Sequence, residues 1–373
     1  MLILGIESSC DDTSVALLEA DKGIFTIVSE KTASQIEIHK HYGGVVPEIA
    51  GRMHAEAIMP LIETVLKDKK PDIIAAATGP GLITGLIVGA EAGRTLSYLW
   101  DIPFVSVNHI DGHVHSVEIP HAESKKQRIE FPALCLVVSG GHTELLFTRE
   151  HGSYELIGKT MDDAAGEAFD KVGKLLGFNY PGGPRISKEA KTGNPDAIPF
   201  PRPMLAKANS KASKQFYKKK YNFSFAGLKT AALYWLRDNT LSVTHPSAMA
   251  TLPVGITGIT GEGPTLQDFC ASFEQAIVDV LSEKTARAIE EYKPNCLILG
   301  GGVSANPKLR SNLQNLGKNC GLEHILLPPP GYSMDNGAMI AVAGYYQTIK
   351  KQYTDWKNVK VNPNWEAYEE NKN

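Results

Sequence analysis

Short apolar runs that end in polar, glycine-bearing turns alternate along this chain with longer stretches of helical spacing. Residues 2–8 (LILGIES) read as a buried strand, and Ser9-Cys10-Asp11-Asp12-Thr13 as the turn that closes it. SVALLEA and FTIVSEKTA follow as second and third strands, with Gly23 allowing the turn between them. Pro47-Glu48 opens a helix to about Lys67, with Ile49, Met53, Ile58, Ile62 and Leu66 on its apolar side. A strand (IIAAATG), the turn Gly79-Pro80-Gly81, a helix to about Trp100 and a strand (PFVSV) complete a β-β-β-α-β-α-β order.

Beyond residue 130 the order recurs. ALCLVVSGG, residues 143–149 and residues 154–161 give three strands. Helical spacing then returns at 164–176 and 269–292. CLILGGG, a helix near 307–316, HILLPPP and a last helix after Met334-Asp335 follow. The pattern predicts an α/β protein built by internal duplication. Two stretches stand outside it. Residues 207–220 carry six lysines with Phe216 and Tyr217 and no acidic residue, while 241–264 are rich in Thr, Gly, Ser and Pro. The lysine stretch reads either as a solvated loop or as a contact for nucleic-acid phosphates.

Composition narrows the class. At 373 residues the chain is long for one core, which favours two domains. A net charge of -3 provides no bulk field for a polyanion, so nucleic-acid binding requires a local basic patch or a partner. The five cysteines are scattered without C-x-x-C spacing, as expected in a reducing compartment. Residues 73–90 are uncharged, but Gly79, Pro80, Gly81 and Gly85 interrupt them, so they read as strand, turn and helix rather than a membrane span. Residues 1–6 are apolar but short and lack a basic n-region. The expectation is an intracellular protein with no membrane segment.

Chemistry concentrates at the strand ends, where ligands bind in open α/β sheets. His109-Ile110-Asp111-Gly112-His113 is an H-x-x-x-H after a strand. On a helix it places two imidazoles on one face, able to share a metal ion. Two solvated histidines at a polar helix start have the same spacing. Asp335 reads as an N-cap or as a hard oxygen ligand completing a two-His, one-carboxylate site. Asp11 and Asp12 occupy the first corner, and Ser139-Gly140-Gly141-His142 its counterpart in the second unit. Successive glycines let backbone N–H groups approach a phosphate or carboxylate closely. Gly300-Gly301-Gly302 with Ser304 and Asn306 offers another such cradle beside a helix start. Asp162, Asp163 and Glu167 suit the first turns of a helix, whereas Asp170 lies beyond them, next to Pro181-Gly182-Gly183-Pro184. A P-loop, a G-x-G-x-x-G fingerprint, H-E-x-x-H and G-x-S-x-G are all absent.

The runs GIESSCDDTSVAL, HYGGVVPEIAGRMH, TGPGLITGLIVG, VNHIDGHVHS, VSGGHTEL, DDAAGEAFDKVGKLLG, YPGGP, FSFAGLKT, GGGVSAN and MDNGAM span almost the whole chain. In this order they resemble the bacterial and organellar branch (TsaD) of the tRNA threonylcarbamoyladenosine transferases, formerly labelled O-sialoglycoprotein endopeptidases. SGGHT, rather than SGGNT, points to that branch. The resemblance implies two duplicated RNase H-like lobes of the actin and sugar-kinase (ASKHA) type. It assigns residues 1–116 with 335–362 to one lobe and 117–334 to the other, with inserts near 205–222 and 241–264. It implies transfer of a threonylcarbamoyl group from threonylcarbamoyl-AMP to N6 of adenosine 37 in ANN-decoding tRNAs. His109, His113 and Asp335 match the metal ligands for one divalent ion per subunit, iron (Fe2+) first and zinc as alternative. Val138, Ser139, Gly140, Gly141 and His142 match the substrate loop, and Asp170, Gly183 and Asn306 further ligand contacts. Asp11 and Asp12 are assigned to positioning, with His142 or Asp11 as general base. A TsaB-like paralogous subunit, a TsaE-like ATPase and a cytoplasmic location are implied as well.

The chain departs from the family pattern at Ala226, often serine, and at Asp12, often glutamate. Three other readings compete: a metallopeptidase, which lacks H-E-x-x-H here, an ATP-dependent kinase on the same fold, and a nucleotide-binding scaffold.

Overall fold

A computed structural model describes residues 1–120, 127–205, 220–239, 241 and 263–368. The lysine stretch at 207–220, apart from Lys220, and nearly all of 241–264 therefore lie outside the described residues. Two five-stranded sheets form. In the first, β1 (Leu2–Glu7) pairs antiparallel with β2 (Asp12–Asp21) and parallel with β4 (Ile73–Gly79). With β3 (Ile24–Ser34) and β5 (Phe104–Asn108) the order is β3-β2-β1-β4-β5. The second sheet contains β6 (Ala133–Val138), β7 (Thr143–Glu150), β8 (Ser153–Lys159), β9 (Cys296–Gly300) and β10 (His324–Leu326). Its order, β10-β9-β6-β7-β8, is the same topology with β6 in the place of β1. In each sheet only the second strand runs against the others, an RNase H-like arrangement.

Helices cover both faces of the first sheet. A single turn, α1 (Ile36–His39), precedes α2 (Pro47–Leu66), which packs with α3 (Ile83–Trp100) on one face through Ile58, Ile62, Val65 and Leu96. Between the two sheets lies a short helix, α4 (His109–His115). The second sheet carries α5 (Ala165–Leu175), α6 (Gly182–Ala190), α7 (Ala226–Asp238), α8 (Leu266–Tyr292) and α9 (Pro307–Asn319). Phe169, Phe223, Phe225, Phe269 and Phe273 fill the core beneath them.

The last helix, α10 (Gly337–Ile349), returns to the free face of the first sheet. Its Ala338, Met339, Ile340, Ala341 and Val342 pack with Ile3, Ala16, Ala75 and Val107. Contact is close because both surfaces are small. A Cβ on Gly5 would lie 2.0 Å from Gly337 O, so α10 rests directly on the β1 backbone. Helix α4 is wedged between α10 and the second sheet. Ile110 and Val114 enter an apolar cluster with Cys135, Val137 and Ile298, while a Cβ on Gly112 would meet Ile340 at 2.9 Å.

Two local differences from the sequence reading stand out. Asp12 and Thr13 belong to β2 rather than to the preceding turn, paired with Ser34 and Ala33. The Pro-Gly-Gly-Pro run, to which the sequence reading gave no element, starts α6, where Pro184 falls in the first turn and breaks no backbone bond. No helix among the described residues is long and apolar enough to cross a membrane.

Candidate metal and ligand site

The site starts from a capping residue. Asn108, the last residue of β5, accepts the N–H groups of Ile110 at 2.8 Å and Asp111 at 3.4 Å through Oδ1, which starts α4 immediately after the strand. Its Nδ2 donates to Trp365 O at 3.1 Å, so the C-terminal segment braces the same residue. Helical spacing then places the rings of His109 and His113 4.5 Å apart. Asp335 arrives from the turn before α10. It does not cap that helix, since Asn336 does so by accepting the Met339 N–H at 2.8 Å. Asp335 Oδ1 instead sits 3.6 Å from His109 Nε2 and 3.3 Å from His113 Nε2. Arg310, donating to Ser304 O, Pro328 O and Ser333 Oγ, braces the loop that leads to it.

The donor set suits a divalent cation. His109, His113 and Asp335 offer ligand atoms all within 4.8 Å of one another. Both ring nitrogens of the fully buried His113 lack a hydrogen-bond partner among the described residues, and a coordinated ion would take up one of them, Nε2, which faces Asp335. His109 Nδ1 lies 2.9 Å from Glu7 Oε2 and 3.1 Å from Ser9 Oγ, and Ser9 N donates to Glu7 Oε1 at 2.6 Å. That carboxylate–imidazole pair leaves Nε2 as the free lone pair. Electrostatics agree. Burial alone would lower the His109 pKa, but Glu7 and Asp335 outweigh it and raise it to about 9. Burial also opposes the charge of Asp335, yet the surrounding imidazoles hold its carboxyl below the usual range. Burial and the neighbouring His109 charge push His113 down. The cluster attracts positive charge, and two imidazoles with a carboxylate are ligands for iron or zinc.

Around this trio the remaining candidates divide. Burial and the Asp335 charge raise both acids of the first corner, Asp12 to about 7. Asp11 accepts the Tyr180 hydroxyl at 3.3 Å, joining the first corner to the second sheet's helices, whereas Asp12 Oδ1 is buried without a partner among the described residues. His142 ends the β6–β7 turn. Its pKa falls to about 4 through burial and the charges of His109 and His113. Ser139 N donates to His142 O at 2.8 Å, and His142 N to Ser139 Oγ at 3.1 Å. A Cβ on either Gly140 or Gly141 would meet open space, while Gly301 (φ +84°) approaches Val138 so closely that its Cβ would lie 2.4 Å from Val138 O. The turn is held from behind and open in front.

Asp170 and Asn306 have structural duties in addition. Asp170 Oδ1 accepts Gly182 N at 2.8 Å and Gly183 N at 3.3 Å, capping α6, and no described residue donates to its Oδ2. Asn306 caps α9 by accepting the Leu309 N–H at 2.9 Å, and its Nδ2 donates to Glu274 at 2.6 Å. Sequence reasoning missed Glu7, Tyr180 and His54. His54, fully buried on α2, lies 2.7 Å from Thr13 Oγ1 and 3.1 Å from Cys10 O, so it holds both ends of the acidic corner. A charged residue closing a wholly apolar strand was the available signal for Glu7.

Known proteins are similar to this chain. A family model described as TsaD, tRNA N6-adenosine threonylcarbamoyltransferase, matches residues 26–342. A tRNA N6-adenosine threonylcarbamoyltransferase of Bacillus subtilis (strain 168) is 43% identical over 350 residues, covering 92% of this chain and 90% of the relative. Its counterpart in Thermomicrobium roseum is 40% identical over 354 residues, covering 93% and 92% respectively. Among solved structures, full-length HypF superposes with a TM-score of 0.52 at 12% identity. That match covers 94% of this chain and 46% of HypF, and it shows the duplicated α/β fold alone. By the family match and the identity of its relatives, this chain belongs to the TsaD family of tRNA N6-adenosine threonylcarbamoyltransferases.

Proposed function

We propose that this protein transfers the threonylcarbamoyl group of threonylcarbamoyl-AMP to N6 of adenosine 37 in tRNAs that read ANN codons, releasing AMP. What carries the reading is the convergence, in a chain of this family, of His109, His113 and Asp335 on one point between two strand-end corners. These three residues would hold one divalent cation, Fe2+ in first place and zinc as the alternative. When bound, such an ion supplies positive charge against the negative charge that develops on the carbonyl and the departing phosphate.

The chain's own groups do the rest by placement. The N–H groups of Gly140 and Gly141, on a turn where a Cβ at either residue would meet no neighbour, would receive phosphate or carboxylate oxygens of the ligand, with Val138, Ser139 and His142 shaping the turn. Asp170 Oδ2, Gly183 and Asn306 would complete the ligand contacts. N6 attacks the carbamoyl carbon, the bond to the phosphate oxygen breaks with its electron pair on AMP, and N6 gives up one proton. Asp11, partly exposed and raised above the ordinary carboxylate range by burial and by Asp335, would accept that proton. Asp12 would hold its corner, and His142, neutral at pH 7, would position the ligand.

The proposal extends to partners and place: tRNA, a TsaB-like paralogous subunit and a TsaE-like ATPase, in the cytoplasm. It also extends to the lobes, 1–116 with 335–362 against 117–334. The return of α10 to the first sheet supports that division.

The test is mass spectrometry of tRNA nucleosides from cells depleted of this protein, with rescue by the intact chain or by His113→Ala. Loss of threonylcarbamoyladenosine that only the intact chain restores is expected. Persistence of the nucleoside after depletion, with no second homologue present, would overturn the reading.

A further inference from the structure

Helix α4 carries a second polar face. His109 and His113 meet Asp335, whereas Asp111 and His115 meet a different buried group. His115 Nδ1 lies 2.8 Å from Glu118 Oε2, and His115 Nε2 lies 3.4 Å from Asp111 Oδ1. Glu118 Oε1 accepts the Tyr346 hydroxyl at 3.0 Å, and Asp111 accepts the Tyr154 hydroxyl. The turn between β7 and β8 adds His151, stacked on the Tyr346 ring at 3.5 Å between centroids. His115, Glu118 and His151 offer ligand atoms within 4.8 Å of one another.

Three observations separate this group from an ordinary buried ion pair. First, His115 Nε2 and His151 Nδ1 are both buried and make no hydrogen bond among the described residues. An imidazolium at His115 between Asp111 and Glu118 would account for the first nitrogen but not for the second. Second, the His115 and His151 ring centres are 5.1 Å apart. Two imidazoles bound to one tetrahedral ion at the usual Zn–N distance have ring centres about 5 Å apart. Third, the composition repeats that of the first cluster: two histidines with two carboxylates, Glu118 and Asp111 here against Asp335 and Glu7 there. Two neutral imidazoles and two carboxylates balance the charge of a dication, and among the described residues no lysine or arginine bonds to any of the four side chains, Lys350 Nζ donating instead to the backbone carbonyl of His151 at 2.6 Å.

We propose that His115, His151 and Glu118, with Asp111 beside them, form a second divalent-cation site that takes zinc or a similar first-row ion. Its ligands come from α4, from the residues just after it, and from the β7–β8 turn of the other sheet. An ion there ties the second sheet to the helix that presents His109 and His113, and holds that helix from the side opposite the first site.

Metal content decides the matter independently of transfer activity. The full chain is stripped with chelator, equilibrated with Zn2+, freed of excess by gel filtration, and analysed by inductively coupled plasma mass spectrometry. Two ions per chain are expected, falling to one in His151→Ala and to one in His113→Ala. Where His151→Ala does not remain soluble, Glu118→Gln takes its place. With Co2+, the loss in the His151 or Glu118 variant should remove part of the visible absorption and leave the remainder intact. One ion in the wild type that His113→Ala abolishes and His151→Ala leaves unchanged would overturn the second site alone. One ion lost only in His151→Ala would support it and remove the first. No bound ion would overturn both.

Discussion

Glu7 Oε2 lies 2.9 Å from Nδ1 of His109, so the last residue of β1 orients the first residue of a helix 102 positions later. Both groups are buried, and Ser9 steadies the carboxylate from the turn between them. The ring is thereby committed to presenting Nε2 towards Asp335 and His113. Replacing Glu7 by Gln keeps the shape and removes the charge. Metal affinity should fall about 10- to 100-fold, as for other lost carboxylate partners of ligating histidines. Chelator competition measures this, and an affinity within twofold of wild type would sink the orienting role.

His54 acts on the acids rather than on the metal. With Nδ1 facing the Thr13 hydroxyl and Nε2 facing Cys10 O, it is a neutral ring, and burial lowers its pKa further. His54→Ala should release the corner that carries Asp11 and reduce kcat on the order of 10- to 100-fold, the scale of a small misplacement at a reacting centre. His54→Gln, which still places a donor towards Cys10 O, should recover most of the loss. Equal rates in the two variants would show that the ring serves packing alone.

Glu144 gives the clearest pH signature. It lies on β7, nearly buried, with Oε2 unpartnered among the described residues, and burial raises its pKa to about 7 despite the opposing Lys159 charge. The folded state therefore holds its proton more tightly than the unfolded chain. Stability from this group is complete below about pH 4.5 and is lost as pH rises through 7. Glu144→Gln should match the wild type near pH 4 and exceed it at pH 8 by up to about 3 kcal/mol. Thermal unfolding at the two pH values checks this, and a pH-independent difference would contradict it.

Gly5→Ala should be among the most damaging single substitutions. The added methyl would fall 2.0 Å from Gly337 O and 2.8 Å from Ala341 N, both backbone atoms that cannot step aside. A cost of about 3 kcal/mol or more is expected, read as lost soluble yield or a lowered Tm. A near-normal Tm would mean that α10 can move off β1 without penalty.

Much of this was legible in the chain. Buried strands advertise themselves as apolar runs closed by small polar turns, and the repeat of that order foretold two matching sheets. H-x-x-x-H foretold the approach of His109 and His113, because helical spacing is a local property. Asp335 was assigned by resemblance, since no local rule spans the distance from residue 113 to residue 335. Helix α6 was not assigned from the sequence, because two glycines and a proline, poor helix formers, begin it. Tyr180 on Asp11 and His151 beside His115 are meetings of a loop with a distant element, and only the folded chain brings them together.

The return of α10 to the first sheet also sets a schedule for synthesis. Residues 337–349 supply one whole face of the core beneath β1, β2 and β4. As the chain emerges from the ribosome, the lobe made first cannot close until nearly every residue of the lobe made second has followed it. Asp335 arrives just ahead of that helix. The nascent protein must therefore carry an open, apolar sheet face until residues 337–349 have emerged, and it cannot assemble its His109–His113–Asp335 site before Asp335 has emerged.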